Sequence, residues 1–453
     1  MRALAGLALI AAACAGAPQP AEPSPAPAPR APAPSATPSA AASTPAPAAS
    51  TAPTPAAKKP TGPYNVVLLL VDSLRADMPW SGYPRDIAPN LSALEKTCTS
   101  YTRGYSVSSY TAKSVAAALS GKYPSTLKRS GYFFTKYPES NLFFPELLQK
   151  AGVHTMSTHG HMYMRKGHNG LDQGFSDWRI VEGLSFDAQT DNHVTSHKMT
   201  PLAIAQLDAM PKDKPFFMYL HYMDPHDVYH QHKESPVFGK KVRDKYDSEV
   251  FYTDLWLGKL FEHMKKQPWW EKTVLIVSAD HGEAFGEHNM YRHAFELWDM
   301  LVHVPMMFCG PGIPARRIDA PRSAIDFAPT VLELMGVKDS HDFVGESLVP
   351  ELDGEAPKER PVLLDLPADS NNPERRALIS GDYKLLVFGN DWRFDLYDLR
   401  SDPSEKKDLA KTQPEKLAEM KALYQKVWGP LTKVKPFGGN KLEGGGTANG
   451  PAN

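Results

Sequence analysis

Asp280 and His281 stand side by side where the apolar run Thr273–Ala279 turns abruptly polar into DHGEAFGEH. A carboxylate and an imidazole at the end of a buried strand are suited to converge on one divalent cation. Asp72 ends a second such run, YNVVLLLV from Tyr64, and His226 follows a third, PFFMYLHY from Pro215, within Met223-Asp224-Pro225-His226. Between the first two lies SVSSYTAKSVAAALSG, from Ser106 to Gly121, a hydroxyl-rich turn entering a helix of small residues. A hydroxyl at a helix N-terminus sits in positive potential and can face an anion. The plainer role for Ser and Thr at such a position is helix capping. One strand ending in Asp-His has an equally plain reading as a cap beside a chance histidine. Three strands ending in ligand or proton-transfer residues call for a shared site.

The elements that must position these residues alternate along the chain. Pro89–Lys96, Thr111–Leu119, Phe144–Lys150, Thr200–Met210 and Tyr246–Lys265 read as helices. Val153–Ser157, the Pro215–Tyr222 run and His303–Phe308 read as strands, the last closed by Gly310-Pro311-Gly312. Strand and helix in alternation predict an α/β fold, a doubly wound and mostly parallel sheet with helices on both faces. Such sheets bind ligands beyond the carboxyl ends of their strands. From Pro361 the pattern changes to short runs, Ala377–Ile379, Tyr383–Phe388 and Arg393–Tyr397, then one helix, Pro414–Trp428. These predict a small C-terminal antiparallel sheet plus a helix.

The ends of the 453-residue chain read differently. Met1–Cys14, MRALAGLALIAAAC, has the form of a secretory signal, and a cysteine after small residues gives it the form of a bacterial lipoprotein signal lipidated at Cys14. Ordinary cleavage of an exported chain is the alternative. Residues 15–63 are almost wholly Ala, Pro, Ser and Thr, a composition expected to form a disordered, extended linker. Residues 438–453, rich in Gly and Asn, read as a disordered tail. The expected organisation is therefore signal 1–14, linker 15–63, catalytic α/β domain 64–355, C-terminal subdomain 356–437, and tail. The formal net charge is −1, with no basic block, which argues against a nucleic-acid partner. No later stretch is long and apolar enough to span a bilayer. Cys98 and Cys309 permit one disulfide and no framework.

Taken in order, NVVLLLVDSLRAD, APNLSAL, the hydroxyl-bearing helix ending in LSGKYPS, MDPH, SADHGEAFGEH, HVPMMFCGPG, DFAPTVLELMG and FDLYDLRSDPSEKKDL resemble the sulfatase family of the alkaline phosphatase superfamily, from Asn65 to Leu409. The resemblance implies hydrolysis of a sulfate or phosphate ester at a divalent metal. Carried over, Asp72 matches the first metal carboxylate, and Asp280 with His281 the later pair. The second carboxylate that many sulfatases place just after the first is Ser73 here. The nucleophile position falls on Thr111. Sulfatases begin this element with Cys or Ser, then x-Pro-x-Arg, and oxidise the first residue to formylglycine. This chain has Thr111-Ala112-Lys113-Ser114-Val115, so no formylglycine is expected. The run TAKSVAAALSG is instead similar to the nucleophile element of phosphoethanolamine transferases and lipoteichoic-acid-synthase-like enzymes, which attack with a metal-bound threonine.

The expected site follows. Thr111 is the nucleophile, with Ser109 and Ser114 as rivals, and Asp72, Thr111, Asp280 and His281 hold one divalent metal. An imidazole among oxygen donors favours Zn²⁺ or Mn²⁺, with Ca²⁺ possible. His226 matches a family residue at the substrate ester, His293 in YRHAFELWD matches one facing the transferred group, and His161 sits near a Gly-Lys-x-His element whose lysine is absent, with His159 as an alternative. His288 is a candidate supporting or second-metal residue, and Lys113 either neutralises an anion or is a plain helix residue. Arg75 and Asp77 are expected to pair and tie the first loop. The expected activity is cleavage or transfer of a phosphate, phosphonate or sulfate ester at the cell envelope, periplasmic or on the outer surface. The expected partner is an anionic ester, such as an envelope glycan or phospholipid head group, with the membrane reached only through a lipid anchor. True sulfate-ester hydrolysis without formylglycine, and an anion- or glycan-binding protein without catalysis, are the alternatives.

Overall fold

The computed structural model describes residues 63–185, 192–338 and 341–438. The expected signal, nearly all of the linker and the tail lie outside the described residues. The strands, in chain order, are β1 (Asn65–Val71), β2 (Thr99–Tyr101), β3 (Gly104–Tyr105), β4 (His154–His159), β5 (Asp177–Ile180), β6 (Phe216–Tyr222), β7 (Thr273–Ala279), β8 (Ala284–Phe285), β9 (Tyr291–Arg292), β10 (Met306–Cys309), β11 (Arg316–Ile318), β12 (Arg322–Ser323), β13 (Val362–Leu366), β14 (Arg375–Ser380), β15 (Tyr383–Phe388) and β16 (Arg393–Asp398). Eight of them form one twisted sheet in the order β11-β2-β10-β7-β1-β6-β4-β5. The β1 strand is central and runs parallel to both β6 and β7.

A strand flanked on both sides and covered on both faces must be apolar at every position. In β1 the odd and even positions divide accordingly. Val66, Leu68 and Leu70 pack on the face carrying helices α2 (Thr111–Ser120) and α3 (Phe144–Lys150), and Val67, Leu69 and Val71 pack on the opposite face. That second face is covered by α1 (Pro89–Glu95), α4 (Ser196–Ala209) and α5 (Val242–Lys265). The small residues of α2, Ala116–Ala118, are fully buried and let the helix lie close to the sheet. It stops at Gly121, whose φ of 62° favours glycine and where a Cβ would come 2.6 Å from Phe343.

The expected parallel sheet holds, with one difference. The strand read at His303–Phe308 is Met306–Cys309 and runs antiparallel to both β7 and β2. It returns beside β7, the preceding strand of this sheet, with only β8, β9 and short helical turns between, and a full crossover would have been needed to make it parallel. Cys98 and Cys309 form the disulfide. The small C-terminal sheet, β13-β14-β15-β16, is antiparallel throughout and is followed by the helix Pro414–Trp428. Its apolar face joins the same cluster as α2 and the β1 face that α2 covers.

Candidate active site

Register brings the three chemical strand ends together. Leu70 of β1 lies opposite Ser278 of β7 and His221 of β6. Two residues beyond that row, Asp72 and Asp280 leave their strands toward the α2 face, and both are buried. The backbone then turns sharply at Ser73, whose φ of 58° is unusual for a residue with a side chain. Local bonds hold that turn: Tyr246 Oη donates to the Ser73 carbonyl at 2.8 Å and accepts from the Arg75 amide at 3.0 Å. Arg75 pairs with Asp77 at 3.0 Å, as expected, and donates to the Glu283 carbonyl at 2.8 Å. The Asp72 loop is thereby tied to the loop that carries Asp280 and His281.

Thr111 opens α2 directly above these carboxylates, and it is the one residue of that helix not buried. Its Oγ1 lies 3.0 Å from Asp72 Oδ2 and 3.3 Å from His281 Nε2. Asp72, Asp280 and His281 each offer one ligand atom, and these lie within 4.8 Å of one another. His281 Nδ1 is held by its contact with the Gly282 carbonyl at 2.9 Å, which presents Nε2 as the free lone pair. Burial pulls the His281 pKa below its usual value, against the neighbouring Asp280 and Asp72 carboxylates. Burial opposes ionisation of Asp280, but His281 and His221 hold its carboxyl far below the usual range. Asp280 Oδ2 is fully enclosed and has no partner in hydrogen-bonding geometry. A buried anionic oxygen without a donor, beside an imidazole, another carboxylate and a hydroxyl, is a donor set that fits a divalent cation.

A cavity of about 380 Å³ opens over Thr111. His161, His226 and His293 all line it, so the structure gathers these three candidates at one place. The His293 ring lies 4.2 Å from that of His281 and 5.1 Å from that of His226. His293 Nδ1 is 3.2 Å from Glu283 Oε1. Burial works against charge on His293, yet the Glu283 carboxylate carries its pKa above the usual value. His226 Nδ1 is held at 2.8 Å by the Asp227 carbonyl, and His161 Nδ1 accepts from the Tyr163 amide at 2.9 Å. The remaining walls are largely apolar: Phe133, Phe134, Tyr163, Met164, Met223 and Phe295.

Other candidates lie elsewhere. Lys113 is fully buried on the inner side of α2, donating to Thr135 Oγ1 at 2.6 Å and lying 3.5 Å from Asp369. Burial lowers its pKa to about 8 against the pull of Asp369, and it does not line the cavity. Ser114 is buried and donates to the Ser108 carbonyl at 2.8 Å. His159 is enclosed, with its ring 4.0 Å from that of Trp178, and does not reach the cavity. His288 stacks on Trp298 at 3.9 Å and contacts the Ser404 carbonyl at 2.9 Å, facing a separate depression rather than the carboxylates. A helix start and a strand direction decide these outcomes, and neither is visible in a motif.

A family model described as Sulfatase matches residues 64–337, and a second, described as N-sulphoglucosamine sulphohydrolase, C-terminal, matches residues 286–433. The chain belongs to the sulfatase family. It is an ester hydrolase of that family, within the alkaline phosphatase superfamily. It is 27% identical over 364 residues to the ulvan-active sulfatase of Formosa agariphila, covering 70% of each chain. Among solved structures, Ps i-CgsB in complex with k-i-k-neocarrahexaose aligns with a TM-score of 0.68 at 22% identity, covering 84% of this chain and 95% of that one. The phosphonate monoester hydrolase of Agrobacterium radiobacter aligns with a TM-score of 0.63 at 17% identity, covering 81% of this chain and 95% of that one. Within this sulfatase-family chain, sequence reading passed over Glu283, although it lies inside the Asp280–His288 motif, and His221, which is hidden in an apolar strand.

Proposed function

We propose that this sulfatase-family chain cleaves or transfers an anionic ester through Thr111, and that phosphate and phosphonate esters suit it better than sulfate. The observation that carries this reading is the Thr111 hydroxyl at 3.0 Å from Asp72 and 3.3 Å from His281. A divalent ion held by Asp72, Thr111, Asp280 and His281 would supply positive charge that lowers the pKa of a hydroxyl and steadies the oxygens of the transferred group. The imidazole in that set favours Zn²⁺ or Mn²⁺ over Ca²⁺.

The chain's own residues divide the remaining work. Thr111 Oγ1 passes its proton to Asp72 Oδ2, to which it already donates, and forms the new bond to phosphorus or sulfur while the bond to the alcohol oxygen breaks. His293, kept charged by Glu283, gives the departing oxygen its proton, and His226 and His161 face the oxygens of the transferred group. Water then releases that group from Thr111, or an acceptor alcohol takes it. The apolar cavity walls fit an ester whose alcohol carries aromatic or aliphatic surface next to the scissile bond. Lys113 acts in this reading as a buried prop for α2. The residue pattern of Met1–Cys14 and the Pro/Ala-rich stretch after it support a location at the cell envelope, with a lipid on Cys14. Its substrate would be an envelope phospholipid head group or glycan ester.

The test is an assay of the full chain, stripped of metal and reloaded with Zn²⁺, Mn²⁺ or Ca²⁺, on p-nitrophenyl sulfate, phosphate, phosphodiester and phosphonate. Metal-dependent phosphoester or phosphonate turnover that disappears in Thr111→Ala supports the proposal. Sulfate turnover lost in the same variant turns it into a threonine sulfatase. Absence of turnover with any of these metals, together with no ion retained, would leave anion or glycan binding as the better account.

A further inference from the structure

His221 lies at the centre of the sheet, opposite Leu70, and its side chain occupies the same face as Asp72 and Asp280. It is 0% exposed, and neither ring nitrogen has a partner in hydrogen-bonding geometry. Leaving a buried polar group unmet is costly, so an enclosed imidazole of this kind calls for a partner. Its Nε2 is 3.5 Å from Asp72 Oδ2 and 3.4 Å from Asp280 Oδ2. These separations exceed the ~2.7–3.2 Å of an N–H···O bond. They match the spacing of donors that share a small cation: with ligand distances of about 2.0–2.2 Å in a tetrahedral site, neighbouring donors lie roughly 3.3–3.6 Å apart. His281 Nε2 stands in the same relation to the same carboxylates, at 3.6 Å from Asp72 Oδ1 and 3.5 Å from Asp280 Oδ2.

The first loop leaves room for such a donor. Ser73 follows Asp72 and turns its hydroxyl back onto Asp72 Oδ1 at 3.0 Å, so no second carboxylate enters from β1. The geometry points to His221 as a further ligand of the divalent ion, donating through Nε2 from β6 beside Asp72 and Asp280. This rests on the metal-centre reading given above and deepens it. Asp72, Asp280, His281 and His221 then make up the four donors of such a site, and the Thr111 hydroxyl approaches as a fifth. A second imidazole in place of a carboxylate lowers the negative charge of the site and selects a borderline transition ion over Ca²⁺.

The experiment counts imidazoles on the bound ion in the full chain. X-ray absorption at the zinc edge, with pulsed electron–nuclear spectroscopy of the Mn²⁺ form, is expected to find two imidazole nitrogens in the wild type and one in His221→Gln. Zn²⁺ affinity should fall about 100-fold in that variant, while Ca²⁺ affinity changes less than threefold. A single imidazole in the wild type would overturn the inference and leave His221 as a group that only positions the carboxylates. An unchanged count in His221→Gln would overturn it equally. The wild-type count stands even if the variant fails to fold. Failure to retain any ion would overturn the metal-centre reading as well, which separates the two failures.

Discussion

Thr111 and Asp72 are 39 residues apart in the chain, yet the threonine hydroxyl donates to the aspartate carboxylate at 3.0 Å. One opens a helix and the other ends the central strand of the sheet. The contact exists because α2 packs its small residues against the face on which Asp72 leaves β1. Thr111→Ala should therefore abolish turnover, by at least about 10³-fold in kcat, while the variant keeps its fold because the site is partly open. Thr111→Ser keeps the oxygen and should retain measurable turnover. Steady-state kinetics of the metal-loaded proteins, with thermal melts as controls, check both.

Glu283 sets the charge of His293. Removing the carboxylate in Glu283→Gln lowers the His293 pKa, because the imidazolium loses its neighbouring anion. If protonated His293 supplies the leaving-group proton, the alkaline limb of the kcat profile must move to lower pH, and activity at pH 8 should fall about 10- to 100-fold. A profile that keeps its alkaline limb in Glu283→Gln would remove His293 from the proton-transfer step.

The disulfide between Cys98 and Cys309 spans a sequence separation of 211 residues and links the residues entering β2 to the end of β10. Closing so long a loop restricts the unfolded chain, and losing a native disulfide typically costs about 2–5 kcal/mol. The Cys98→Ala/Cys309→Ala double variant should melt several degrees lower than the oxidised wild type. Reductant should lower the wild-type melting temperature and leave the variant unaffected.

Glu249 on α5 accepts from the His230 amide and contacts His232 Nε2, each at 2.6 Å, and burial raises its pKa to about 7. The folded state therefore binds this proton more tightly than the unfolded state, where the pKa is about 4.5. Its contribution to stability is fully present below about pH 4.5 and is lost as pH rises through about 7. Denaturant titrations should show the wild type losing on the order of 1–3 kcal/mol relative to Glu249→Gln across that window. Parallel pH dependences would contradict the assignment.

The strand ends were legible because a buried strand must be apolar and its exit to solvent polar. Asp72, Asp280 and His281 stand out at those transitions, and their convergence follows from parallel strands ending on one edge. Tyr383–Phe388 and Pro414–Trp428 have the residues read from their patterns. Val362–Leu366 is not legible as a strand, since four apolar residues and Asp365 between prolines carry no period to separate strand from loop. Helix α4 begins earlier than its apolar pattern and contains Pro201 at its sixth position, where the ring removes one amide bond of the helix, so the pattern read from Thr200 misses its first turn.

The amino-acid sequence by itself determined the sheet class, the family resemblance, the threonine at the nucleophile position and the missing second carboxylate at Ser73. Those are matters of local residue type, period and order. Tertiary structure decided which side chains face one another. It sent Lys113 inward to Asp369 and His288 onto Trp298, while gathering His161, His226 and His293 around one cavity. It also turned His221 beneath the two carboxylates. Along the sequence that histidine is one polar letter in an apolar strand. Only the register between β1 and β6 gives it a position, because lateral pairing between distant segments leaves no trace in either segment alone.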